Sequence, residues 1–182
     1  MKEKQLCTEI VRSINLIPQS WAYKIPDSSP RHIETESFRP ARAFDITACI
    51  KGRYYAIEVK MIKGTGGLSK DRFTEFEIRS LIGVVKGGGS AVVAIGREYT
   101  SDCVVYTELH LLPISRWYNL TKRLVGTKTV KINDILSNSI EIGWGKNGIW
   151  KVEEGLYQLQ RKSIIWKAGE KDETWKPFKT RL

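Results

Sequence analysis

The stretch from Phe44 to Lys60 constrains the fold more than any other part of the chain. Two apolar runs rich in β-branched residues flank Lys51 and Gly52, the pattern of a β-hairpin with a two-residue turn. With that turn, Ile50 pairs with Arg53, and counting back along both strands sets Asp45 opposite Glu58. Directly opposed residues of an antiparallel pair share a face. Lys60, two residues beyond Glu58, shares it too. Phe44, Ile46, Ala48 and Ile50 take the other face, with Tyr55, Ile57, Val59 and Met61. The hairpin is therefore predicted to carry one apolar face and one face with two carboxylates and an amine.

That second face calls for a use. Two carboxylates roughly 5 Å apart repel each other, and strand positions ordinarily hold Val, Ile or Thr. A divalent cation resolves the conflict. A few hard oxygen donors completed by water suit Mg²⁺, with Mn²⁺ as a substitute. Asp45 and Glu58 then act as ligands, and the Lys60 amine holds or helps deprotonate a water. This is the apparatus of metal-assisted phosphodiester hydrolysis. A surface sheet with a plain Glu-Lys pair satisfies the same spacing, so the surroundings must decide.

The net charge of +10, with a pI of about 9.6, points to a polyanionic partner, nucleic acid first and an anionic membrane surface second. Excess lysine that merely aids solubility gives the same composition. Residues 1–125 hold 19 basic and 13 acidic side chains, and residues 126–182 hold 11 and 7, so the excess is no basic tail. Cys7, Cys49 and Cys103 are odd in number and widely spaced, with no CxxC and only His32 and His110 to assist, which argues against a disulfide framework and a structural zinc site. No apolar run reaches membrane-spanning length, so a cytoplasmic, reducing location without membrane contact is expected.

Residues 3–17 are predicted to form a helix with Leu6, Ile10, Ile14 and Ile17 as its stripe, ended by Pro18. Glu9 lies at the edge of that stripe, either solvated or reaching a neighbouring site. Residues 18–41 read as irregular, punctuated by four prolines. Their aromatic residues, Trp21, Tyr23 and Phe38, are interleaved with cations and suit either stacking on bases or burial in the core. A second helix is expected over residues 70–86, N-capped by Ser69 and broken by Gly87-Gly88-Gly89. Glu77 falls on its stripe with Phe73, Leu81 and Val84, facing either a metal site or a buried arginine. Short strands follow at 91–95 and 103–106, then a short helix within 113–124. Lys24, Arg39 and Arg42 before the hairpin, and Lys63, Lys70 and Arg72 after it, are candidate phosphate contacts. The fold class is α/β, a mixed sheet flanked by helices. Residues 1–125 form its core, and 126–182 a strand-rich extension.

The chain resembles the PD-(D/E)XK nuclease superfamily, most of all Holliday-junction resolvases of the bacterial recombination-U type and their phage and archaeal relatives. The residues carrying the resemblance are Trp21 to Asp27, Arg39 to Asp45 and Lys51 to Lys60, followed by the helix and Gly-rich turn within 73–96. It covers the first two-thirds of the chain by motif order. It implies a Mg²⁺-dependent DNA endonuclease acting on branched DNA as a homodimer. Asp45, Glu58 and the Val59 carbonyl would ligate the metal, Lys60 would serve the water, and Glu9 would sit beside a metal as the first-helix glutamate. The sequence departs from the family where a Gln is common near the site, since Glu77 stands there. A restriction-type or phage DNA-processing enzyme shares the same active site. A non-catalytic nucleic-acid-binding protein on the same fold is the further alternative, disfavoured by acids clustered beside phosphates.

Overall fold

The computed structural model describes residues 1–26, 42–145 and 148–167, with the side chains of the last helix described through Gln160. Helix α1, Glu3–Asn15, buries Leu6, Ile10 and Ile14 at helical spacing and stops short of Pro18. Strand β1, Ser20–Lys24, stands where an irregular segment was expected. It pairs antiparallel with residues 46–50, and on its other edge the Asn15 amide accepts from the Ala22 N–H at 2.6 Å and donates to the Ala22 carbonyl at 3.1 Å, mimicking a neighbouring strand.

Strands β2, Ile46–Ile50, and β3, Arg53–Lys63, form the expected hairpin, with Ile50 opposite Arg53. Lys51 and Gly52 both have positive φ, 49° and 77°, as a turn matched to strand twist requires. Strand β4, Leu68–Ser69, leads into a 3-10 turn at Lys70–Arg72, and helix α2 then spans Glu75–Lys86. Strands β5, Ser90–Ser101, and β6, Val104–Pro113, form a longer hairpin than the two short strands expected. Helix α3, Ile114–Lys122, strand β7, Thr129–Val130, helix α4, Ile132–Asn138, strand β8, Ile140–Ile142, and helix α5, Val152–Lys167, complete the chain.

The main sheet runs β1-β2-β3-β5-β6-β8. Every neighbouring pair is antiparallel except β3 and β5, which are parallel and joined by the α2 crossover. The fold is α/β, as expected: a mixed six-stranded sheet among the described residues, with helices on both faces. One apolar layer joins α1 and α5 to Ile46, Ala48, Ile57 and Val59. The other joins α2, α3 and α4 to Ala56, Ile62, Val93 and Ile95. Strand β3 lies between both layers, which is why residues 55–62 are buried without interruption.

Three further expectations are corrected. Phe44 packs in the α2 layer, opposite to Ile46, because the chain bends at Asp45 and strand alternation ends there. The second helix begins at Glu75 instead of Lys70; Ser69 caps only the 3-10 turn, and Thr74 caps the helix. The described part of the C-terminal region is not strand-rich. Among its described residues the strands β7 and β8 are short, and helix α5 is the dominant element. Trp150, Val152, Leu156 and Leu159 share the α1 layer and close the core.

Candidate active site

The site forms where the sheet loses a strand. Pairing between β2 and β3 stops at Ile46 opposite Ile57, while β3 continues to Lys63. The β3 backbone groups beyond that point need other partners. Asp45 supplies the first, its Oδ2 accepting from the Val59 N–H at 2.8 Å. Glu3 supplies the next, accepting from the Met61 N–H at 3.0 Å. Arg72 donates to the Met61 carbonyl at 2.6 Å and pairs with Glu3. The N–H and C=O of one strand residue point to the same side, so the Val59 carbonyl faces the side on which Asp45 stands.

Glu58 follows on β3 with its side chain fully buried. Its Oε1 accepts from the Lys60 ammonium, and its Oε2 is buried without a hydrogen-bond partner among the described residues. Burial, then the charge of Asp45, push the Glu58 carboxyl up to about 7 against the pull of Lys60. Burial also raises Asp45, opposed by the Val59 N–H and by Arg42, whose guanidinium lies 2.7 Å from Oδ1. The Lys60 ammonium sits 4.9 Å from the Phe73 ring centre, and Phe73 rests on Trp117. The hairpin reading thus placed Asp45, Glu58 and Lys60 together as the structure does. Cys7 beneath them is pushed up to about 12, chiefly by burial, so its thiol stays protonated.

Glu9 is elsewhere. Its carboxylate accepts from the Trp150 indole at 3.2 Å and from Gln5 at 3.3 Å. The α1 carboxylate whose charge acts on Asp45 is Glu3. Six helical residues separate the two, roughly 240° around the axis, so one faces the β3 edge and the other faces Trp150. Sequence reasoning missed Glu3 and Arg72 as partners of this edge. The signal for them is the place where β2 ends, which periodicity does not give.

Among the described residues Glu77 pairs with no arginine. It closes a capping box with Thr74, accepting from the Thr74 N–H at 2.7 Å, and its charge reaches Glu58. Among the cations, Arg42 and Arg72 are engaged by Asp45 and by Glu3 with Met61. Lys24 ends β1 half-buried, and Lys63 and Lys70 are exposed. Arg39 lies outside the described residues. Lys70 lines a cleft of about 800 Å³ between α2 and α3, which Phe73 and Trp117 also border. Asp45, Glu58 and Lys60 do not open into it.

No family model matches the chain, and no curated protein matches it. Among solved structures it is similar to Hjc of Archaeoglobus fulgidus, a Holliday junction resolvase from an archaeal hyperthermophile. The TM-score is 0.45 and the identity 20%, over 76% of this chain and 92% of that one. A likeness at this level carries no inference about activity.

Proposed function

We propose that this protein is a Mg²⁺-dependent DNA endonuclease selective for branched DNA, working as a homodimer. The observation that carries the reading is Glu58: a buried carboxylate with one oxygen on Lys60 and the other without a partner, beside a second buried carboxylate, Asp45. A pair this costly to ionise suits a cation. Glu58 Oε2, Asp45 Oδ1 and the Val59 carbonyl are the oxygens that would hold it. No group of three or more His, Cys, Asp or Glu gathers for a metal among the described residues. Mg²⁺, which keeps several waters and uses one or two carboxylates, accepts such a sparse set. When bound, it lowers the pKa of a water and offsets charge on the phosphoryl oxygen.

The chain's own groups then have distinct tasks. Lys60, fixed by Glu58 and by the Phe73 ring, orients the attacking water through its remaining N–H donors. Arg42 neutralises Asp45 in the free protein and would be available to a DNA phosphate were Asp45 to hold a metal. Glu3 stands near as a further carboxylate, with its charge felt at Asp45. The test is direct. Purified protein is incubated with Mg²⁺ and with chelator on four-way junctions, linear duplex and single strands. Metal-dependent cleavage, fastest on the junction, is the expected result; cleavage in chelator overturns the mechanism.

A further inference from the structure

The sheet face that carries Glu58 and Lys60 continues away from them as an exposed aromatic surface. Trp21 is opposite Cys49, and Cys49 is opposite Tyr54, forming one row across β1, β2 and β3. Tyr23, Thr47 and Ala56 form the next row. Just beyond the end of that pairing, Asp45 turns to the Val59 N–H and comes within electrostatic reach of Glu58. The alternate residues, Ala22, Ala48, Ile50, Tyr55 and Ile57, are buried in the α1 layer, so the two rows share the opposite face with Glu58 and Lys60. On it Trp21 is 50% exposed, Tyr23 56% and Tyr54 40%. The Thr47 hydroxyl and the Tyr54 phenol hydrogen-bond at 3.1 Å, fixing that ring.

Three large aromatic rings held open on a rigid sheet are costly in a monomer. Here they lie beside the place where, among the described residues, buried carboxylates converge, on a chain of net charge +10. We infer that Trp21, Tyr23 and Tyr54 form a stacking platform for unpaired bases of the nucleic acid whose phosphate sits at Asp45 and Glu58. The placing of that phosphate rests on the nuclease reading above. Bases offer π-faces to aromatic rings wherever they are not paired, and such stacking tolerates any sequence. Tyr54 lies four residues from Glu58, about 13 Å along the strand, so the stacked bases fall within a few nucleotides of the scissile phosphate. Strand β1 is the edge of the main sheet, which leaves a route onto the platform from the side among the described residues. A paired duplex buries its π-faces and gains little there. The substrate class is thus nucleic acid with unpaired nucleotides flanking the cut: frayed, tailed or branched.

The test measures binding in chelator, by fluorescence anisotropy, of a single strand, a duplex with an unpaired tail and a blunt duplex of equal length. Trp21→Ala and Tyr23→Ala are each expected to lose about tenfold on the first two probes and to leave the blunt duplex within twofold. Trp21→Phe retains binding. The salt slope stays unchanged in all three variants, because no phosphate contact is removed. Melting temperature and sedimentation of each variant are recorded alongside. The proposal is overturned by single-strand affinity that survives both alanine variants, or by equal losses on all three probes. It is equally overturned by alanine variants that change only the melting temperature or the association state, which would mean that protein covers these rings. Metal-dependent cleavage is assayed separately. If it is absent while the aromatic dependence holds, the nuclease reading falls and the platform stands.

Discussion

Glu58 costs the free protein stability, and the sense of the pH dependence follows. Its carboxyl stands at about 7 in the fold against an ordinary 4.5, through burial and Asp45. Below 4.5 it is protonated in folded and unfolded chains alike, so it exerts no penalty. Between 4.5 and about 7 the unfolded chain ionises first, so the group's contribution to stability falls as pH rises. Above about 7 the loss is complete, on the order of 3 kcal/mol at most. Glu58→Gln mimics the protonated form, so in chelator it should raise the melting temperature by several degrees at pH 8 and leave it unchanged at pH 4. Mg²⁺ should stabilise the wild type and not the variant. A melting temperature that falls at pH 8 would contradict this account. In cleavage assays, Asp45→Asn and Glu58→Gln should each slow the reaction by about 10³, near 4 kcal/mol of lost transition-state stabilisation, with DNA affinity kept. Lys60→Ala should lose a similar factor while Mg²⁺ still stabilises the fold; near wild-type cleavage would reduce Lys60 to a counter-ion for Glu58. These three residues were legible because a two-residue turn fixes the register of the whole hairpin. Glu3 and Arg72 were not, because they depend on β2 ending at Ile46 while β3 runs on, nor was the place of Glu9, which depends on Trp150 far along the chain.

Helix α2 shows how a local signal can be present and still misassigned. Ser69 and Thr74 are both capping residues by type, and both accept a backbone N–H. Only Thr74 is followed three residues later by a glutamate that closes the box, which is the stronger signature. Reading it would have started the helix at Glu75, left Phe73 outside it and given Glu77 a partner in the cap. The cap matters to the site, since the first turn of α2 holds Glu77 within electrostatic reach of Glu58. Thr74→Ala should cost about 1 kcal/mol and lower the melting temperature by roughly 2–4 °C. Thermal unfolding followed by circular dichroism measures it, and an unchanged transition would mean the helix does not depend on this cap. Strand β1 lay beyond local reasoning altogether. Its five residues carry no clean alternation, and a side chain from the preceding helix, Asn15, holds its middle.

At the scale of the whole molecule, the central sheet was legible in kind and the C-terminal third was not. Residues 91–95 are continuously apolar, and that run sits as a buried parallel neighbour of β3. In the C-terminal third, Trp150, Val152 and Leu156 pack against α1 residues more than a hundred positions away, a pairing that no local pattern announces. The assembly that results is basic throughout, and its substrate choice is where the nuclease proposal is most exposed. Lys24, Lys63 and Lys70 bracket the site without occupying it, and each should contribute one phosphate contact. Replacing any of them by alanine should weaken binding equally across sequences and lower the salt slope by about one. Selectivity for a four-way junction demands more, because two strands must be cut at a fixed separation, which requires two copies of the site in a closed twofold arrangement. Competition binding at constant salt should therefore show a junction preferred over duplex of equal length. Sedimentation of the free protein should show a dimer at the same concentrations. A monomer that binds both DNAs alike would exclude the junction-selective enzyme. The chemistry at Asp45 and Glu58 would still stand, since one site is enough to cut one strand.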